Sequence, residues 1–185
     1  NFYMTNINAV IKLQQDALNP SIDTTSLLRT AYLIASKLSL TDFKQWISHE
    51  LNGYDTPESI PQYRNVHGEL QGHTARGWIP VSGYDTELFK ILTTKPIENS
   101  IPDLQSLISK EKQIILKFSA TLNNKLNERT NRETHYRLSI NQNSLINIVE
   151  IVKNKILEWA LTLEENGILG EGLEFTNIEK SIATS

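Results

Sequence analysis

The run "WISHELNGYDTPESIPQYRNVHGEL", Trp46 to Leu70, holds two periodicities, and the change between them sets the fold class. Phe43, Trp46, Ile47 and Leu51 share one face of a helix, for which Thr41 is the expected cap. Gly53 stops that helix, and a left-handed cap is expected there, with Tyr54 folding back over the end. After Tyr63 the pattern becomes two-residue: Val66, Gly68 and Leu70 alternate against Asn65, His67 and Glu69, which predicts one strand. A buried Glu50–Arg64 pair is expected to pin the loop between.

Working outward toward the N-terminus, Asn6 to Leu18 places Ile7, Val10, Ile11 and Leu18 on one helical face. "SIDTTSLLRTAYLIASKL" forms the next helix, capped at Asp23, Thr24 or Thr25, with Leu27, Leu28, Ala31, Ile34, Ala35 and Leu38 as its stripe. Three short helices with brief connections predict a bundle. Toward the C-terminus, Gly72 to Gly77 reads as a turn and "GWIPV" as an edge strand, because Pro80 cannot donate to a ladder. "DTELFKIL" and "SIPDLQSLIS" read as helices, "KQIILKF" as a strand, "SATLNNKLNER" as a helix behind Ser119, and "HYRLSI" as a strand. From Ser144 to about Asn166, Leu145, Ile148, Val149, Val152, Ile156, Trp159, Ala160 and Leu163 form one sustained stripe, a helix of about 33 Å closed by Gly167. The fold class is therefore α+β: a three-helix N-terminal bundle, small antiparallel hairpins and a long C-terminal helix.

Length and composition narrow the rest. The 185 residues suit one domain, with 39% apolar and 21% charged residues and a net charge of −3 that offers no bulk attraction to nucleic acid or anionic membrane. The absence of cysteine excludes disulfides and thiolate chemistry and fits a cytoplasmic setting. No apolar run approaches the roughly 20 residues of a membrane span. Residues 1–5 read as a remnant and N-terminal tail, with Met4 as the natural start; residues 6–167 read as one domain. "TNIE" at Thr176 to Glu179 is a capping-box pattern, so residues 168–185 read as a linker and the start of a truncated downstream segment.

Chemical motifs are sparse. His49-Glu50 lacks the second histidine of a zinc helix, since position 53 is Gly, and His67 and His73 have no placed carboxylate, so no metal site is expected. No "GK[ST]", "GxGxxG" or "GxSxG" is present, and no cofactor is expected. Lys125, Arg129, Arg132 and Arg137, near His135 and Tyr136, make a local basic strip interrupted by Glu128 and Glu133. Glu164 and Glu165 sit at a helix C-terminus, where the dipole disfavours them, and predict a partner such as an arginine.

"ELNGY" followed by "IPQYR", with "NPSIDTTSLLRTAYLIASKL" before and "IVKNKILEWALTLEENGILGEG" after, resembles the AbiTii-type domain of bacterial abortive-infection proteins. The resemblance runs from about Ile7 to Lys180. It implies an antiphage-defence module placed N-terminal to an effector or other domain, and carries over Trp46, Glu50, Leu51, Asn52, Gly53, Tyr54, Pro61, Tyr63, Arg64, Glu164, Gly167, Gly170 and Glu171. Lys153 stands where the family often shows Arg, and lysine cannot supply the arginine fork.

The resulting expectation is a non-enzymatic interaction and regulatory module whose partner is a downstream domain, another protein or a second copy of the chain, with no membrane. The alternative is a nucleotide or nucleic-acid sensor. Candidate partner- or ligand-binding residues are Trp46, Glu50, Asn52, Tyr54, Tyr63, Arg64 and Trp78; Leu51, Gly53, Pro61, Gly167 and Gly170 are expected to be structural. A metal-dependent nuclease on Glu50, His67 and His73 stands third.

Overall fold

Asp23 opens the second helix as the spacing predicts, its carboxylate accepting the Ser26 N–H at 2.7 Å. A computed structural model describes residues 8–82 and 86–185, with the side chain of Thr86 also outside that set. Met4 and the expected remnant, Ile7 of the first stripe, and Asp85 of "DTELFKIL" lie outside the described residues. The described chain is α+β and forms two compact units. The first comprises the chain up to Asp55, Asn99–Leu104 and Ile148–Ser185; the second comprises Thr56–Glu98 and Gln105–Asn147.

In the first unit α1 (Ala9–Leu18) packs on α2 (Thr24–Lys37), and α2 on α3 (Thr41–Asn52). The α2 stripe is buried as expected. On α1 the stripe has a different phase: Ala9, Val10, Leu13 and Ala17 are buried, whereas Leu18 is 73% exposed. Alanines allow close helix approach, so two small residues, rather than the larger Leu18, mark the packed face. Thr41 is not the α3 cap. Ser39 takes a positive φ of 58° and Leu40 N–H bonds the Ala35 carbonyl at 2.9 Å, so the chain turns tightly and the helix starts one residue early, capped by Leu40 without a side-chain bond. The predicted long helix is α7 (Gln142–Glu165), which begins in the second unit and continues through the first; Leu145, Ile148, Val149, Val152, Ile156, Ala160 and Leu163 are buried along it.

In the second unit "YRNVHGEL" is two strands rather than one. β1 (Asn65–His67) pairs with β4 (Thr94–Pro96), a strand too short to show periodicity, while β2 (Glu69–Thr74) joins a different sheet. The break falls at Gly68, whose N–H bonds the Thr93 carbonyl; a Cβ there would lie 2.5 Å from Leu138 Cγ. Only a glycine lets the backbone pass so close to that side chain. Gly72 is not in a turn: it lies within β2, opposite Ile79 and Tyr136, and the hairpin turn narrows to Ala75 and Arg76.

The antiparallel order of the larger sheet is β3-β2-β6-β5, with β3 (Gly77–Pro80) and β5 (Gln113–Lys117) at its edges and β6 (Tyr136–Asn141) inside. α4 (Thr86–Thr93), α5 (Ile101–Lys110) and α6 (Ala120–Thr130, capped by Ser119) complete the elements between; α5 starts in the first unit. One sheet face buries Leu70, Tyr136, Leu138 and Ile140, and Leu126, Phe89, Leu92 and Phe118 cluster with Leu70 and Tyr136. Cross-strand register puts Trp78, His73, Gln71, Arg137 and Lys117 on the opposite face.

Candidate functional site

At the end of α3, Glu50 is fully buried and accepts a hydrogen bond from the Tyr54 hydroxyl at 2.6 Å. Tyr54 is 6% exposed and its ring lies 5.1 Å from that of His49, so it does fold back over the helix end. The return is made at Gly53, with φ 95° and ψ 171°; φ is positive, but ψ is extended rather than helical, so this is not the left-handed cap expected. The Gly53 N–H still closes the helix on the His49 carbonyl at 2.7 Å. Trp46 is half-buried with its ring 5.2 Å from Phe43, and Phe43 stacks on Trp159 of α7 at 4.1 Å. Leu51 is half-buried; Asn52 is exposed, donating to the Ser48 carbonyl. These groups face a packed interior, apart from Asn52.

In the second unit Pro61 leads the 3-10 turn Gln62–Arg64. Arg64 is fully buried, and its Nη1 donates to the Ile97 carbonyl at 2.9 Å while Ile97 N–H bonds the Arg64 carbonyl at 3.0 Å. This guanidinium fastens the turn to the chain leaving β4. A buried guanidinium must be satisfied on every side, because it cannot shed its charge. Tyr63 beside it is half-buried.

Trp78 stands elsewhere, on the outer face of the four-stranded sheet. The Arg137 guanidinium lies 4.3 Å from the Trp78 ring centroid, and its Nε donates to Gln71 Oε1 at 2.7 Å. Gln71 donates in turn to Glu69 at 2.8 Å, and His73 meets the Trp78 ring edge-on at 5.1 Å. Beside them opens a cleft of about 640 Å³, lined by Trp78, His73, Ile115, Lys117, His135 and Arg137 among others. His67, in contrast, is in the smaller sheet with Nδ1 at 3.1 Å from Thr94 Oγ1, so the two histidines do not share a sheet. Among the described residues no group of three or more His, Asp or Glu could hold a metal ion.

A family model described as AbiTii matches residues 9–185. The chain belongs to the AbiTii family. Membership points to an abortive-infection, antiphage role. No curated protein and no solved structure matches the chain. Among the described residues no helix is long and apolar enough to cross a membrane.

The other recognised AbiTii segment, "LEENGILGEG", is held to α1. Gly167 closes α7 with φ 75°, and the Ala9 and Val10 N–H groups donate to the Gly170 and Leu169 carbonyls, each at 3.1 Å. Residues read as a linker therefore satisfy open donors at the start of a helix. Glu164 finds Gln14 Nε2 at 2.8 Å, an amide from α1 rather than the arginine anticipated. Glu179 completes the expected capping box, and its other oxygen does something the local pattern does not announce: it accepts the Leu169 and Gly170 N–H groups at 2.7 and 3.0 Å. Burial works to raise the Glu179 carboxyl, but the backbone N–H groups of Thr176, Gly170 and Leu169, with the Thr176 side chain, hold it below its ordinary value. A carboxylate aligned nine residues after a Gly-containing loop is the signal that could have found it.

Glu50 and Tyr54 meet at the end of α3, Arg64 is buried beside Ile97, and Trp78 joins Arg137, which the sequence groups in a basic strip with Lys125 and Arg129. Gln71 and Lys117, which complete the Trp78 neighbourhood, carry no mark of their own in the sequence.

Proposed function

We propose that the chain is a non-catalytic regulatory module of an abortive-infection protein, transmitting the state of a partner protein or neighbouring domain to an effector. One observation carries this reading: the charged and aromatic side chains of its family motif, Glu50, Tyr54 and Arg64, are committed to interiors at 0%, 6% and 0% exposure. Groups packed so deeply with backbone and hydroxyl partners suit a scaffold that must hold one shape. A general acid or nucleophile, by comparison, must reach the substrate proton or carbon within hydrogen-bond distance.

The test is phage challenge of cells carrying the intact defence protein, with Glu50→Gln, Tyr54→Phe and Arg64→Lys measured beside soluble folded protein. Protection that falls in step with the folded fraction supports the module. A variant that keeps its full melting temperature while abolishing a turnover measurable in the purified parent overturns it.

A further inference from the structure

We propose that the outer face of the β3-β2-β6-β5 sheet binds single-stranded nucleic acid, stacking a base on Trp78 and taking backbone phosphates on Arg137 and Lys117. The proposal does not depend on the regulatory reading above. Arg137 is oriented before any ligand arrives: the Trp78 ring supports one side of its guanidinium and Gln71 fixes Nε. The hydrogen bond to Gln71 uses Nε alone, so both Nη groups keep their donors for an anion, and that fork suits phosphate oxygens.

Lys117 lies directly opposite Arg137 in the β5–β6 register and is exposed. Like charges in opposed positions destabilise a ladder, and an anion shared between them reverses the sign. None of the residues lining the cleft is Asp or Glu. Glu69, the acid that β2 carries on this face, accepts a hydrogen bond from Gln71. This local field is cationic although the chain as a whole carries −3.

The aromatic half of the site is Trp78, 36% exposed on an edge strand, with Ile115 at 37% across the face. An exposed indole next to cations is the combination that takes bases by their π-faces and tracks the phosphates between them. The cleft of about 640 Å³ adjoins a second of about 820 Å³, and the two share His73, Asn123, Asn124 and His135. A continuous track suits a polymer better than one enclosed nucleotide. Glu128 and Glu133 line only the second cleft, which places the phosphate-binding end at Arg137.

The experiment is fluorescence anisotropy of the intact protein with labelled twelve-residue oligo-dT and oligo-U, a duplex of equal length, UMP and heparin as probes. One or both single strands should bind more tightly than duplex or UMP, and the stronger of the two identifies DNA or RNA as the source. Trp78→Ala should weaken binding by about 5- to 150-fold, the range for losing one stacked base, while Trp78→Phe retains most of it. Two neutralised phosphates predict a slope of log affinity against log salt of about −1.4, falling to about −0.7 in Lys117→Ala or Arg137→Gln. Unchanged thermal unfolding of each variant confirms that the fold persists. Failure of both single strands to bind overturns the proposal, as does binding of UMP alone. Strand binding that Trp78→Ala and Lys117→Ala leave unchanged, or that merely matches heparin, overturns it equally.

Discussion

Replacing Gly170 and Gly167 by alanine separates two costs that a glycine hides. Both glycines have positive φ, 67° and 75°, so either alanine incurs the left-handed penalty of about 1–2 kcal/mol. Their surroundings differ. A Cβ on Gly167 meets nothing within 4 Å, whereas a Cβ on Gly170 would lie 2.5 Å from Cζ and 2.6 Å from Cε1 of Phe175. Phe175 is 8% exposed, so its ring must be displaced or the loop must move. Displacement of that kind adds about 1–3 kcal/mol, which predicts a loss of about 2–5 kcal/mol for Gly170→Ala against about 1–2 for Gly167→Ala.

The damage should also be local in a predictable place, because the Gly170 and Leu169 carbonyls hold the first N–H groups of α1. Urea unfolding followed by circular dichroism measures the free energies, and amide exchange at Ala9 and Val10 reads the loop directly. Faster exchange at those two amides is expected in Gly170→Ala and not in Gly167→Ala. Phe175→Leu in the Gly170→Ala background should recover part of the steric share, since the planar ring is the obstacle. Equal losses in the two single variants, with no change in exchange at Ala9 or Val10, would refute the reasoning.

Tyr54→Phe removes the hydroxyl from a fully buried carboxyl and should lower stability by about 1–3 kcal/mol; urea midpoints at constant slope check it, and a change within 0.5 kcal/mol counts against it. Arg64→Lys removes the planar Nη1 donor that reaches the Ile97 carbonyl and should cost about 2 kcal/mol or more by the same titration. Glu179 has a folded pKa below its ordinary 4.5. The stability that it contributes is therefore complete above that value and is lost as pH falls through the folded pKa. Amide exchange at Leu169 and Gly170 should accelerate over that acidic window, and Glu179→Gln should flatten the dependence.

What could be read in advance was whatever is local. The α7 stripe repeats over many turns, the capping box at Thr176–Glu179 spans four residues, and Pro80 excludes itself from a central strand; each reports its own environment. Leu18 misled because the α1 face is chosen by Ala9 and Ala17, whose small volume matters only once α2 is known to approach. Gly68 looked like one position in an alternation because nothing nearby in sequence reveals Leu138 pressing on it. Glu164 and Gln14 are separated by 150 residues, so the need for a partner was legible and its identity was not. The same distance effect hid the sheet site: Arg137 and Trp78 belong to strands that do not touch in the order β3-β2-β6-β5, and only long side chains reaching across β2 bring them together.

The contrast between two arginines explains why motif and binding face part company. Arg64 is fully buried with the Ile97 carbonyl on its Nη1, so no ligand reaches its guanidinium while the turn stays packed. Arg137 is supported on one ring and one amide, both of which fix its direction without neutralising it. Orienting a flexible arginine costs side-chain entropy, and an exposed ion pair would return little of it. Here the opposing residue across the ladder is Lys117, which makes the arrangement still less favourable in isolation. A guanidinium held in place beside another cation, with its terminal donors open, gains its full interaction energy only when an anion arrives. That deficit in the free protein is the reason to look for ligand on the sheet rather than at the buried family motif.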